Sequence, residues 1–136
     1  MKLLHTLVLK STYEEVEKVE VILTKLQKEL NFSDELYARM MLAVSEAATN
    51  GILHGNKLDA SKTIEISAYL KDDKLEFVTK DQGEGFKREN LPDPTAEENL
   101  LKPSGRGVFL MEEYADEVKF SDGGTKLTLV FKLPKE

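Results

Sequence analysis

Three short motifs, in fixed order, hold most of the residues in this chain that could do chemistry. Glu46-Ala-Ala-Thr-Asn50 sets a carboxylate and a carboxamide four residues apart, which puts both on one helix face a single turn from each other. Asp81-Gln-Gly83-Glu-Gly85-Phe86 offers an acidic hydrogen-bond acceptor followed by two glycines. Ser104-Gly105-Arg106-Gly107 places a glycine-flanked arginine before the apolar run Val108-Phe-Leu-Met111. Between them they offer an oxygen ligand for a metal, an acceptor that could read a base, and bare backbone amides for phosphates. Those are the parts a nucleotide site needs.

Each motif also admits a plainer reading. Glu46 and Asn50 sit at the edge of their helix's apolar stripe, where a half-buried polar pair can simply support the helix. The functional reading makes Asn50 a hard-oxygen ligand for Mg²⁺ and Glu46 a general base, or a group that orients the nucleophile. Asp and Gly are standard turn formers, so Asp81-x-Gly83-x-Gly85 can be only a turn. Read as chemistry, Asp81 accepts from an adenine amino group, and the glycines let backbone approach the ring. Phe86 is expected to pack beneath that loop. Gly105-Arg106-Gly107 is either an ordinary loop entering a helix or a phosphate cradle, with Arg106 adding charge-assisted contacts. His54 reads as structural, Met40 and Met41 as core, and Gly123-Gly124-Thr125 as a hairpin turn with a secondary role for the Thr125 hydroxyl near a base.

The elements that must position these groups follow from periodicity. Residues 3–10 read as a strand burying Leu3, Leu7 and Leu9. Ser11 or Thr12 then caps a helix with Glu14 and Glu15 in its first turn and a stripe of Val16, Val19, Ile22, Leu23, Leu26 and Leu30. Ser33 caps a second helix carrying Leu36, Met40, Ala43 and Ala47, which ends near His54-Gly55-Asn56. Two alternating strands follow, one with Ile64, Ile66, Ala68 and Leu70 on one face and one with Leu75, Phe77 and Thr79, joined by a hairpin at Lys71–Lys74. Asp81 ends the second. Residues 87–104 are polar and broken by Pro92, Pro94 and Pro103, as a functional lid would be. A short helix from Gly105 to about Ala115 and strands near 117–121 and 125–133 complete the chain.

This order predicts an α+β two-layer sandwich: a mixed, mainly antiparallel sheet with helices on one face. It lacks the strand–helix alternation of a doubly wound sheet, and no GxxxxGK[ST] loop is present, so a P-loop enzyme is not expected. With 136 residues the chain is read as one domain, 1–136. The 40% hydrophobic and 32% charged content fits a soluble globular protein, and the net charge of -6 argues against nucleic acid as a direct partner. Without cysteine there is neither disulfide nor thiolate metal site. No signal-peptide pattern opens the chain and no run nears the roughly 18 apolar residues of a membrane span, so a cytoplasmic location is expected.

The three motifs, with His54-Gly55, resemble the N, G1 and G2 boxes of the GHKL ATPases, a superfamily that includes gyrase, histidine kinases and the mismatch-repair ATPase. A closer resemblance is to bacterial anti-sigma factors that are serine-protein kinases. It rests on Ala43-Val-Ser-Glu46, on Pro92-Asp-Pro94 and on Gly105-Arg-Gly-Val-Phe-Leu-Met111 running into Asp116-Glu-Val118, and it spans essentially the whole chain.

The resemblance implies the Bergerat ATP-binding sandwich, with ATP and Mg²⁺ as cofactors. It implies Asn50 on Mg²⁺, Asp81 on adenine, Gly83 and Gly85 lining the base pocket, and Thr125 supporting adenine through water. Gly105, Arg106 and Gly107 would meet the phosphates under the lid, and Glu46 would be the base toward a substrate serine. It further implies a homodimer that phosphorylates an anti-sigma factor antagonist and, in its other partner state, sequesters a sigma factor. A module that sequesters a partner without phosphotransfer is the alternative. A detached histidine-kinase catalytic domain is the third reading, weakened because no helix bearing a phosphoacceptor His is present. Gly51 departs from the Ala common after this Asn; a glycine inside a helix costs up to about 1 kcal/mol relative to Ala.

Overall fold

A computed structural model describes residues 1–83 and 103–134, with only the helical backbone described for 103–108. The expected lid at 87–104 therefore lies outside the described residues up to 102, as do Gly85 and Phe86. Strand β1 is Lys2–Lys10, and a 3₁₀ turn Tyr13–Lys18 leads into helix α1, Val19–Leu30. Helix α2, Asp34–Asn50, continues as a π-helical turn, Gly51–Gly55. Strands β2, Thr63–Lys71, and β3, Lys74–Lys80, precede helix α3, Pro103–Tyr114. Strands β4, Glu117–Ser121, and β5, Lys126–Lys132, are joined by a 3₁₀ turn at Asp122–Gly124.

The five strands form one sheet in the order β1-β2-β3-β5-β4, and every neighbouring pair is antiparallel. The sheet is thus wholly antiparallel where a mixed one was allowed. The helices cover one face, as the amphipathic stripes require. Period-two alternation puts Ile64, Ile66, Ala68, Leu75, Phe77, Leu127, Leu129 and Phe131 on that face, all buried. They meet Val19, Ile22, Leu23 and Leu26 of α1 and Leu36, Met40, Ala43, Val44, Ala47 and Ala48 of α2. Phe77 and Phe131 pack edge to face, with centroids 5.8 Å apart. Met40 is fully buried, while Met41 is only half-buried against this core.

Two local expectations need correction. Leu3 is 51% exposed, because the β1–β2 register slips between Leu3 and His5. That bulge inserts one residue and reverses which side chains face inward, so Leu4 takes the core side together with Leu7 and Leu9. His5, in phase with Leu7 and Leu9, faces the helical layer and bonds to Glu29 of α1. At the first helix, neither Ser11 nor Thr12 supplies a side-chain cap. The Ser11 hydroxyl donates instead to the Lys62 carbonyl at 2.8 Å, and the Glu15 carboxylate accepts from the Lys10 amide at 3.0 Å. The second cap is as expected: Ser33 Oγ accepts from the Leu36 amide at 3.1 Å.

Helix α3 begins at Pro103, two residues before Gly105. Proline suits a first helical turn because its missing N–H would have no partner there. The far end of α3 is tied to α2 by Arg39, whose Nε and Nη2 both donate to the Tyr114 carbonyl, at 3.0 and 2.8 Å. A cation on the last carbonyls of a helix satisfies orphan acceptors and complements the dipole. This clamp sets the direction of α3, and so of the turn that carries Gly105, Arg106 and Gly107. Among the described residues no helix is long and apolar enough to cross a membrane.

Candidate functional site

The site is assembled where the end of α2 meets the end of β3. Glu46 and Asn50 lie in the last turn and a half of α2, both half-buried, and Asn50 is its final residue. Beyond it the helix widens. The Asn56 amide reaches back to the Gly51 carbonyl at 2.7 Å, an i→i−5 bond that closes the π turn. Such turns recur at functional sites because they displace the backbone from regular helical register.

That displaced backbone lies directly against Asp81, and glycine makes the approach possible. A Cβ on Gly55 would stand 2.4 Å from Asp81 Cγ, and one on Gly83 would stand 1.9 Å from the Gly55 carbonyl oxygen. A Cβ on Gly51 would meet Ile64 Cδ1 at 2.8 Å and Asp81 Cβ at 3.7 Å. The departure from Ala at Gly51 thus coincides with the start of the π turn and its packing on β2. Gly83 brings the loop against the chain's own Gly55.

Asp81 follows β3 immediately and is held at three points. Its amide donates to the Thr125 carbonyl at 2.9 Å, its Oδ1 accepts from the Gly83 amide at 2.8 Å, and Gly55 backs its carboxyl. Burial pushes its pKa above the ordinary aspartate value, against the opposing pull of the Gly83 amide and the Lys62 charge. A half-buried carboxylate held off its ordinary pKa by burial is a recognised signature of a functional group. Thr125 supports Asp81 through its backbone, while its hydroxyl donates to the Asp122 carbonyl at 2.8 Å and closes the β4–β5 turn.

Two residues before Asp81 on the same face of β3, Thr79 is 3% exposed and its Oγ1 has no hydrogen-bond partner among the described residues. An orphaned buried hydroxyl beside a desolvated carboxylate fits a site that a polar ligand or its bridging water completes. Thr79→Val is expected to raise the stability of the ligand-free protein by about 1 kcal/mol, since it removes an unsatisfied group at constant shape. At this chain length that corresponds to roughly 4 °C in Tm, read from a thermal melt. An unchanged or lower Tm would mean the hydroxyl is already satisfied.

Gly105 lies in the first turn of α3, whose amides have no intrahelical acceptor and carry the positive end of the dipole, and Arg106 and Gly107 follow directly on it. Helix α3 packs on α2, so this turn and the Glu46–Asn50 segment belong to the same layer. His54 is exposed within the π turn. Sequence reasoning missed Asn56 and Gln82. Asn56 is buried and bonded on both sides, but a lone Asn after a helix carries no periodic or motif signal that would mark it.

The family model for the histidine kinase-like ATPase domain matches residues 9–131. The chain belongs to this family. It is 29% identical over 132 residues to the serine-protein kinase RsbW of Bacillus licheniformis, covering 90% of this chain and 81% of that protein. It is 30% identical over 131 residues to the RsbW of Listeria innocua, covering 91% and 83%. With the anti-sigma F factor of Clostridium perfringens it shares 36% identity over 98 residues, 67% of this chain and 69% of that one. Among solved structures, the RsbU and RsbW domains of a Mycobacterium tuberculosis protein superpose with a TM-score of 0.67 at 19% identity, covering 95% of this chain and 31% of that one. That likeness carries the fold, the antiparallel sandwich expected of a GHKL-type ATPase domain.

Proposed function

We propose that this protein is an ATP-dependent serine-protein kinase that acts as an anti-sigma, partner-switching regulator. The single observation that carries the reading is the packing of the π turn after Asn50 on Asp81, which joins the first two motifs into one site. It is supported by relatives named serine-protein kinase and anti-sigma factor that match this chain over two thirds or more of its length. The substrate is a serine on an anti-sigma factor antagonist, and the second partner is a sigma factor. The protein works as a homodimer in the cytoplasm.

Mg-ATP, when bound, supplies the transferable phosphoryl group and the divalent charge that offsets its negative oxygens. The chain's own residues do the rest by positioning and charge. Asn50 would hold Mg²⁺ through its carboxamide oxygen. Mg²⁺ usually keeps several waters and takes phosphate oxygens beside one or two protein ligands, so its other ligands would be phosphate and water. Asp81 would accept from the adenine amino group, with Gly83 and Gly85 along the ring and Thr125 supporting it through water. The Gly105 amide and the Arg106 guanidinium would bind phosphate, with Gly107 beside them at the same end of α3. The Glu46 carboxylate would take the proton from the substrate serine Oγ.

Asp81→Asn tests the nucleotide assignment. The carboxamide keeps the oxygen that accepts from Gly83 but presents an amide where adenine needs an acceptor. Because the folded pKa is raised, the stability Asp81 contributes is fully present below its unfolded pKa and is lost as pH rises through the folded one. At neutral pH its charge therefore opposes folding, and the variant should melt no lower than the parent. By calorimetry with Mg²⁺, the parent is expected to bind ATP and the variant to show no detectable binding. Equal affinity in the two would remove Asp81 from the base contact.

A further inference from the structure

The buried carboxamide of Asn56 joins three segments. Its residue is 1% exposed, and its Nδ2 donates to Ser11 Oγ at 2.9 Å and to the Thr63 carbonyl at 3.0 Å. Its Oδ1 accepts from the Gln82 amide at 2.7 Å. Gln82 is gripped a second time, because its Oε1 accepts from the Thr63 amide at 2.7 Å. The Asn56 backbone amide, meanwhile, closes the π turn on Gly51. One residue thus fixes the turn that follows Asn50 and the loop that presents Asp81.

We propose that Asn56 is a positioning residue for the nucleotide site, holding the Asp81-Gln82-Gly83 loop against the π turn so that Asn50 and Asp81 keep a set separation. This rests on the reading of Asp81 and Asn50 as nucleotide and metal contacts. The physical reason is the accounting of buried polar groups. Within the described site the Gln82 amide has Asn56 Oδ1 as its acceptor, and a loop whose amide loses its acceptor moves to find water. Asp81 and Gly83 flank that amide, so the carboxylate moves with it. Asn56 touches no reacting atom in this account; it acts through Asp81.

The test is a calorimetric titration of the full chain with ATP and Mg²⁺, at a temperature where circular dichroism shows each variant folded. Asn56→Ala is expected to weaken ATP binding about tenfold or more, the size of one misplaced polar contact. Ser11→Ala is the control, because it removes a bond from the side of Asn56 facing away from the loop and leaves Thr63 to orient the carboxamide. It is expected to lower Tm while keeping affinity within about twofold. Asn56→Ala binding within twofold of the parent, or Ser11→Ala weakened as much as Asn56→Ala, would overturn the inference. A parent that binds no ATP would defeat the nucleotide reading itself, and this one with it. Should Asn56→Ala not fold, amide exchange in the parent decides: the Gln82 N–H should be as protected as the amides of β3, and free exchange would refute the bond the inference rests on.

Discussion

Glu46→Ala is expected to lower phosphoryl transfer to a substrate serine by about 10²–10⁴-fold, the usual contribution of a positioned general base. ATP affinity should stay within a few fold. Glu46 lies one helical turn before Asn50 on a helix held by a Ser33 cap and by a buried apolar face. Truncating a half-buried side chain there leaves α2 in place, and with it the π turn and Asp81. Quantifying the phosphorylated antagonist by mass spectrometry, alongside calorimetry, separates the outcomes. Loss of both transfer and ATP affinity would make Glu46 part of the nucleotide anchor, whereas unchanged transfer would remove it from the chemistry.

Gly83→Ala should do its damage to binding. The added Cβ would lie 1.9 Å from the Gly55 carbonyl oxygen, a backbone atom in a hydrogen-bonded turn that cannot rotate aside. The loop must move instead, taking the Asp81 carboxylate and its bond from the Gly83 amide with it. A misplaced hydrogen bond to a charged group costs about 1.5–3 kcal/mol, roughly 10- to 150-fold, and that is the expected loss of ATP affinity. Overpacking should cost about 1–3 kcal/mol of stability, which a denaturant titration measures. Gly51 makes the contrast, since its nearest obstacle is the end of the Ile64 side chain, which can shift. If Gly83→Ala binds ATP like the parent, the loop is softer than its packing implies.

Much of this architecture is legible in the sequence. The strands declared themselves by alternation, and Ile64, Ile66, Leu75 and Phe77 are buried as that alternation requires. Ser33 marked the start of α2 because an N-cap is a local bond between a side chain and an amide three residues on. The site motifs were readable for the same reason, since a carboxylate and a carboxamide one turn apart, or an acid beside glycines, is a local pattern.

What escaped depends on partners distant in the chain. The bulge that exposes Leu3 is a property of how β1 pairs with β2, and neither strand carries it alone. Ser11 looked like a cap but bonds to Lys62 and Asn56, residues that only folding brings near. The π turn at Gly51–Gly55 looked like more helix, because its widening answers to the space beside Asp81. Thr79 counted correctly as an inward-facing strand residue, yet alternation says nothing about whether its hydroxyl finds a partner.

The most direct trial of the central claim is phosphoryl transfer itself. The protein is incubated with Mg-ATP and its cognate anti-sigma antagonist, and the antagonist is then mapped by mass spectrometry. The account predicts one phosphoryl group on a serine, formed with the parent and missing with Glu46→Ala. A stable ATP-dependent complex in which that serine stays unmodified would contradict it, and would make the protein a nucleotide-gated binding module.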